Sequence, residues 1–342
     1  MSKLLGQMGL VSAMTMLSRA FGLFRDVMIT AIFGTSLLNS AFTAAFTLPS
    51  LFRRLLGEGA LAAALMPNLS EEMESNGKEA VFRLVNKTLS WLLLICVALA
   101  LVAYGIFDWL ESVSTEENRV IGARLAKLVF PYIIPICLAA IVSAVLNMLG
   151  RFGIPAMTAI WLNCSMMLFL GAGGWWLAES QDQKMLFLCL GVLVGGLLQL
   201  SVPGIALARE GWKPSFDFSV SGRLRSVLLL TLPGIFGAAS YQLNVVVSRL
   251  LALEFNDSGA TLIYLANRLV ELPLGIFTIA IATVVFRAMS RSIARGDESD
   301  YGETCLKGIS LSMMLTIPAA LGLMIIAPQI IATLLQRCLI YT

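Results

Sequence analysis

The sequence predicts an all-α polytopic membrane protein with about nine transmembrane helices. Hydrophobic residues make up 58% of its 342 residues and charged residues only 13%, whereas roughly a quarter of the residues in soluble domains are charged. Long apolar segments recur along the chain, and a spanning helix needs about 20 mostly apolar residues. The sequence does not show the short alternating segments that are typical of a transmembrane β-barrel.

Nine segments are apolar and long enough to cross a bilayer. They cover residues 8–33, 41–66, 84–107, 125–149, 154–178, 185–208, 226–253, 260–286 and 308–336. Lys and Arg between the segments are concentrated on the side of the N-terminus, which the positive-inside rule places in the cytoplasm. The pattern predicts an N-terminal six-helix bundle (1–208), a cytoplasmic basic linker (209–225) and a partial C-terminal bundle of three helices (226–342). In the linker, Trp212 is expected to be an aromatic anchor at the membrane interface.

Six arginines lie inside the predicted spans, where each would cost about 2.5–3.5 kcal/mol if it faced lipid at the bilayer centre. They are Arg19, Arg25, Arg53, Arg54, Arg249 and Arg268. The acids in the same spans are Asp26, Glu58 and Glu271. Because the arginines outnumber these acids, two interpretations stay open. The charges form ion pairs that only hold helices together, or they line a wet cavity that binds an anion.

Spacing along a helix predicts which of these charges can pair locally. Two pairs are three or four residues apart and share a helix face, namely Arg54 with Glu58 and Arg268 with Glu271. Arg25 and Asp26 are adjacent, so they cannot form the usual i,i+4 pair. Pro49 lacks a backbone N–H, so the second span is expected to kink there, and the FPYIIP segment is expected to bend the fourth span.

The composition argues against several classes of function. The chain has no histidine, which excludes histidine-based catalysis, histidine metal ligands and histidine proton relays. Its six cysteines show no CxxC spacing and are expected to be packing thiols. An enzyme acting on prenyl diphosphates would need clustered aspartates for a metal, and none are present. We therefore expect a protein that is not an enzyme, with no cofactor, no metal site and no nucleic-acid partner.

Three motifs together resemble one family of transporters. They are SRAFGLFRD (18–26), LPSLFRRLLGEGALAAALMP (48–67) and ANRLVELPLG (266–275), and the likeness extends over nearly the whole chain. The chain resembles the MurJ (MviN) family of lipid II flippases in the MOP exporter superfamily. The resemblance implies two helical bundles around a cationic cavity in the bacterial inner membrane. It also implies alternating-access transport of lipid II, the undecaprenyl-diphosphate-linked precursor used in peptidoglycan biosynthesis, cell wall biogenesis and cell shape.

The resemblance also implies roles for individual residues. The implied substrate-binding residues of the cavity are Arg19, Arg25, Arg53 and Arg268. The implied supporting residues are Asp26, Arg54, Glu58 and Glu271. The family's plan has more helices than the nine counted here, so we expect an incomplete second bundle and a C-terminally truncated chain.

Two alternative functions stay open beside lipid II transport. One is a flippase for another lipid-linked oligosaccharide, and the other is an inactive truncated remnant. A drug or cation exporter of the same superfamily is disfavoured, because a cavity for a cationic cargo should be acidic.

Overall fold

A computed structural model describes residues 2–55, 60–271, 285, 289, 292, 293 and 297–331 of the chain. The chain divides by packing into two compact units, Met1–Ala260 and Thr261–Thr342. The described residues form helices and connecting turns, with no strand among them. This confirms the predicted all-α class, whereas the domain boundaries expected at residues 208 and 226 stay a prediction.

The first two helices are α1 (Ser2–Phe33) and α2 (Leu37–Phe52). Ser36 caps α2, because its side chain accepts a hydrogen bond from the backbone N–H of Asn39. Pro49 lies inside α2, one turn before a wider π turn at residues 53–55. The helix geometry therefore changes close to the expected kink, since proline cannot donate to the carbonyl four residues before it.

Helix α3 (Ala60–Val113) is assigned as one long helix but breaks at Gly77, whose φ is 77° and ψ is −176°. Glycine tolerates a positive φ without steric cost, so the break separates the end of the second predicted span from the third. The fourth predicted span consists of α4 (Glu117–Val129), a 3₁₀ turn (Phe130–Tyr132) and α5 (Ile133–Met148). The turn contains Pro131, so the helical geometry changes where the bend was expected, and the bend itself stays a prediction.

The next span contains α6 (Gly153–Ala156), α7 (Thr158–Leu168), a π turn (Phe169–Gly173) and α8 (Gly174–Trp176). It is followed by α9 (Gln181–Arg209), which packs against α5 and α7. Glycine is needed at position 196 of α9, because a Cβ atom there would lie 2.5 Å from the ring of Tyr132. The close approach lets α9 pack tightly against the turn between α4 and α5.

The remaining described helices are α10 (Gly222–Phe255), α11 (259–271) and α12 (Glu298–Ile331). Helix α10 packs along α3 and α2 within the first unit. The core of that unit lies between α3, α4, α5 and α9, where residues such as Leu65, Val129, Ile141 and Leu188 are fully buried.

Among the described residues, five helical segments are long and apolar enough to span a membrane. They are Leu61–Val113, Glu117–Met148, Gly153–Gly173, Gln181–Arg209 and Ser299–Gln329. A sixth candidate is Gly222–Gly237 with Ala239–Phe255, two pieces of α10 bent by 48°. The count rests on length and composition, so the multi-pass helical fold is confirmed and the number of about nine spans stays a prediction.

The predicted linker is an ordered segment on α3. Residues 210–221, which we call the strap, connect α9 to α10 without helical structure over most of their length. The indole N–H of Trp212 donates to Oδ1 of Asn86 at 2.7 Å, and only 9% of Trp212 is exposed. The expectation that Trp212 anchors the chain in the membrane interface was therefore wrong, because a neighbouring helix supplies its hydrogen-bond acceptor.

Candidate functional site

A polar cavity of about 450 Å³ lies inside the first unit. Its walls come from α1, from the turn after α2, from α3, from α5, from the α6 region and from α9. Arg53 is the one charged side chain among its described lining residues. The neutral polar lining residues are Thr15, Ser143, Asn147, Thr158 and Gln199. The cavity thus presents one guanidinium group and several hydrogen-bonding groups to whatever enters it.

Arg53 directly follows the last residue of α2 and begins the π turn at residues 53–55. Its backbone N–H donates to the carbonyls of both Pro49 and Ser50, so α2 is hydrogen-bonded up to this residue. The side chain of Arg53 is half-buried. A guanidinium group carries five N–H donors in a planar fork, which matches two oxygens of a phosphate.

The neutral polar residues were not singled out by the sequence analysis. Gln199 is 6% exposed and accepts a hydrogen bond of 2.7 Å from the hydroxyl of the fully buried Tyr132. Asn147 lies at the end of α5, and Thr158 begins α7. The signal that could have found them is a neutral polar residue inside an otherwise apolar span, but such residues also serve helix packing.

Arg25 and Asp26 form a buried ion pair on α1. Nη2 of Arg25 lies 2.6 Å from Oδ1 of Asp26, and Nε lies 3.1 Å from the same oxygen. Nη1 of Arg25 donates to Oδ1 of Asn163 on α7 at 2.9 Å. Arg25 is 7% exposed and Asp26 is 3% exposed. The pair therefore joins α1 to α7 away from water.

This is a pair between direct neighbours and not the usual i,i+4 pair of a helix face. Adjacent helical positions point about 100° apart, but the long arginine side chain curls back to its neighbour's short carboxylate. Asn163 on the adjacent helix then holds the guanidinium group in that orientation. Arg19 is half-buried and lies one helical turn after Thr15, a lining residue of the cavity. Arg19 is not itself among the residues that line the cavity, so its predicted role stays a prediction.

The other predicted charges have different surroundings. Arg54 is exposed, whereas Glu58 lies outside the described residues, so the expected Arg54–Glu58 pair stays a prediction. Arg268 belongs to the second unit, where Nη1 lies 3.4 Å from Oε2 of Glu271, which confirms that predicted pair. The side chain of Glu271 is 60% exposed, so this ion pair is weak and accessible to solvent.

Arg249 contacts α2 at a point that the sequence did not indicate. Its Nη1 donates to the hydroxyl of Thr47, joining α10 to α2. Thr47 is six residues before Arg53 on the same helix. Farther along the seam, Leu51, Leu55 and Val246 bury apolar side chains between the two helices. Arg249 therefore helps to hold α10 on the helix that carries the cavity arginine.

The end of α10 is also tied to α4 and to the start of α2. Arg119 and Glu254 form an ion pair. The side chain of Asn118 donates to the carbonyl of Leu253 at 3.5 Å, and the hydroxyl of Ser258 donates to the carbonyl of Thr35 at 2.6 Å. These contacts close the seam between α2, α4 and α10 at the end opposite to the strap.

The described residues contain no group of three or more acids or cysteines that could hold a metal ion. Within the same part of the chain, Cys96, Cys137, Cys164, Cys189 and Cys305 form no disulfide, and Cys338 lies outside it.

Comparison with known proteins identifies the family. Residues 29–339 match the family model described as "Lipid II flippase MurJ". The chain belongs to the MurJ family. A probable lipid II flippase MurJ from Vibrio cholerae is 31% identical over 343 residues, covering 96% of this chain and 64% of the relative. A second, from Bdellovibrio bacteriovorus, is 31% identical over 344 residues, covering 98% of this chain and 65% of the relative.

Solved structures show the same fold. A lipid II flippase MurJ in an inward closed conformation superposes with a TM-score of 0.76 at 24% identity, covering 96% of this chain and 67% of that one. An inward-facing MATE multidrug transporter of the MOP superfamily superposes with a TM-score of 0.70 at 13% identity. The match covers 95% of this chain and 75% of that one. The MurJ resemblance inferred from the three motifs is confirmed, as is the MOP-type transporter fold. The chain spans about two thirds of the length of these MurJ relatives.

Proposed function

We propose that the chain is a lipid II flippase, or the part of one that carries the first wall of its cavity. The observation that supports this most is Arg53 in a polar cavity inside a MurJ-family fold. The cargo is a headgroup on an undecaprenyl diphosphate. The location is the bacterial inner membrane, the role is peptidoglycan biosynthesis, and no covalent bond is made or broken.

The cavity chemistry suits a lipid-linked diphosphate. The fork of Arg53 can donate two parallel hydrogen bonds to phosphate oxygens, and Asn147, Thr158 and Gln199 offer neutral groups to sugar hydroxyls. The lipid tail stays in the bilayer while the headgroup enters the cavity. Arg19, Arg25 and Arg268 are proposed as further cavity cations. Arg53 lines the cavity, so it is the strongest candidate for direct contact.

Transport by alternating access requires the seam at the far end of α10 to open. In this conformation Arg119 and Glu254 join α4 to α10, and Ser258 joins the start of α11 to Thr35. The side chains of Arg119 and Glu254 are exposed, and exposed ion pairs are weak, so this contact can break during a rocking motion of the helices.

The alternatives are distinguished by cargo. A flippase for another lipid-linked oligosaccharide would share the diphosphate and the arginine, and would differ in the sugar. An inactive remnant would bind the diphosphate without moving it. A cation exporter would need acids in the cavity, whereas the described lining carries an arginine.

A transport assay tests the proposal directly. The purified chain is placed in liposomes that contain fluorescent lipid II, and a membrane-impermeant quencher reports how much label reaches the outer leaflet. We expect flipping well above that of protein-free liposomes, and faster for lipid II than for an undecaprenyl diphosphate carrying an unrelated sugar. A rate equal to that of protein-free liposomes would contradict transport by this chain.

The proposed orientation makes a separate prediction about labelling. We expect a cysteine at Ser219, a polar residue exposed on the strap, to react with an impermeant maleimide only after cells are permeabilised. A cysteine at Thr115, exposed in the turn before α4, should react in intact cells. Both are made in a variant whose native cysteines are replaced by serine or alanine. The reverse labelling pattern would contradict the proposed orientation, because it would place the strap outside the cell and the turn before α4 inside.

A further inference from the structure

A second, apolar cavity lies away from the Arg53 cavity, between α3, α5, α9 and the strap. Its volume is about 720 Å³, within the roughly 300–1,000 Å³ of typical ligand sites. Its walls are aliphatic along the helices, with Leu89, Leu93, Leu138 and Ile205 among them. We call it the strap groove.

Hydrogen bonds build the strap into a fixed wall of this groove. The side-chain amide of Asn86 donates to the carbonyl of Lys213 at 2.9 Å and to the hydroxyl of Ser215 at 2.8 Å. The backbone N–H of Asp217 donates to the hydroxyl of Ser90 at 2.9 Å. Because Asn86 also accepts from Trp212, one buried side chain organises three positions of the strap. The groove is therefore preformed.

The strap carries large apolar side chains on its outer surface. Phe216 lines the groove and is 78% exposed, and Phe218 and Val220 are also exposed. On a polar segment at the end of membrane-spanning helices, such side chains are stable when they lie in lipid. The groove therefore opens toward the bilayer.

Positive charge surrounds the polar end of the groove. Arg83, Arg209 and Lys213 are exposed there, next to lining residues in sequence or one helical turn away. The acids of the strap are engaged by other cations. Lys78 and then Arg151 hold the pKa of Glu210 below its ordinary value.

Lys87 lies 3.9 Å from Asp217, the second acid of the strap. Both strap acids therefore lie next to lysine or arginine, while Arg83, Arg209 and Lys213 are exposed near the lining residues. An apolar channel with a positive rim is complementary to a lipid that carries an anionic headgroup.

We propose that the strap groove binds an anionic phospholipid, with one acyl chain between α3, α5 and α9 and its phosphate at Arg83, Arg209 and Lys213. The bound lipid would stabilise the strap and so the connection between α9 and α10. This site is distinct from the Arg53 cavity and does not depend on lipid II transport.

Two glycines provide a matched test. A Cβ atom at Gly204, which lines the groove, would meet no atom within 4 Å, and the same holds for Gly105 on the exposed face of α3. Gly204→Phe therefore fills the groove without a clash at Cβ, and Gly105→Phe makes the same change outside it. Native mass spectrometry of the detergent-solubilised chain then measures binding of phosphatidylglycerol and phosphatidylcholine.

We expect the parent chain and Gly105→Phe to retain phosphatidylglycerol over phosphatidylcholine, and Gly204→Phe to lose at least tenfold in affinity. The Arg209→Gln and Lys213→Gln changes should each weaken the preference for the anionic lipid about fivefold. Lipid-free melting temperatures equal to that of the parent show that the variants are folded. Equal lipid retention by Gly204→Phe and Gly105→Phe, or equal binding of both lipids by the parent, would overturn the proposal.

Discussion

Arg53→Ala is expected to abolish transport of lipid II in the liposome assay while leaving the amount of folded protein unchanged. Arg53 is half-buried on the wall of the polar cavity, so truncating it leaves water-accessible space in place of the side chain. Hydrogen bonds to a charged group contribute about 1.5–3 kcal/mol. Binding of an undecaprenyl diphosphate to the purified chain should therefore weaken by roughly 10- to 100-fold.

Two further variants test whether the effect of Arg53→Ala depends on the shape of the guanidinium group or on the position of the arginine. Arg53→Lys keeps the charge but offers a point charge in place of a planar fork, so it should recover little transport. Arg54→Ala makes the same truncation at the neighbouring, exposed residue and should retain most of it. Full transport by Arg53→Ala at normal abundance would remove the anion-cavity mechanism.

Asp26→Ala is expected to destabilise the protein strongly. Asp26 is 3% exposed and neutralises Arg25, which is itself buried against Asn163. Removing one partner of a buried ion pair leaves a buried charge and costs about 3–5 kcal/mol. Thermal unfolding in detergent should show a clearly lower melting temperature, and the abundance of the protein in membranes should fall.

The double variant Arg25→Met with Asp26→Leu is the control for this prediction. Replacing a buried pair by apolar residues of similar size is often neutral or stabilising, so its melting temperature should recover most of the loss. Its transport rate then reports on Arg25: a stable but inactive double variant assigns Arg25 to the cargo, and an active one limits the pair to holding α1 on α7. A double variant no more stable than Asp26→Ala would show that the pair is not the source of the loss.

Much of the fold follows from local properties of the sequence. The apolar segments are long enough to predict membrane spans because the bilayer thickness fixes their length. The altered geometry near Pro49 and the 3₁₀ turn at Pro131 follow from the missing N–H of proline, which acts within a single helix. The three motifs are likewise short contiguous sequences, and they were sufficient to indicate the MurJ family without any tertiary contact. Arg53 was also among the charged candidates that the sequence indicated, since an arginine inside a span is costly in lipid and the resemblance implied a role for it.

The tertiary structure decided which partners those residues meet. Arg25 pairs with its neighbour Asp26 because Asn163, far away in sequence, orients its guanidinium group. Trp212 is buried because Asn86 lies beside it on α3. Gln199 joins the cavity wall because α9 packs against Tyr132. Each of these outcomes depends on which helices are adjacent, and helical periodicity in one segment contains no information about its neighbours. The sequence by itself therefore determined the helical membrane class and the charged candidates, and packing between helices determined the lining of the cavity.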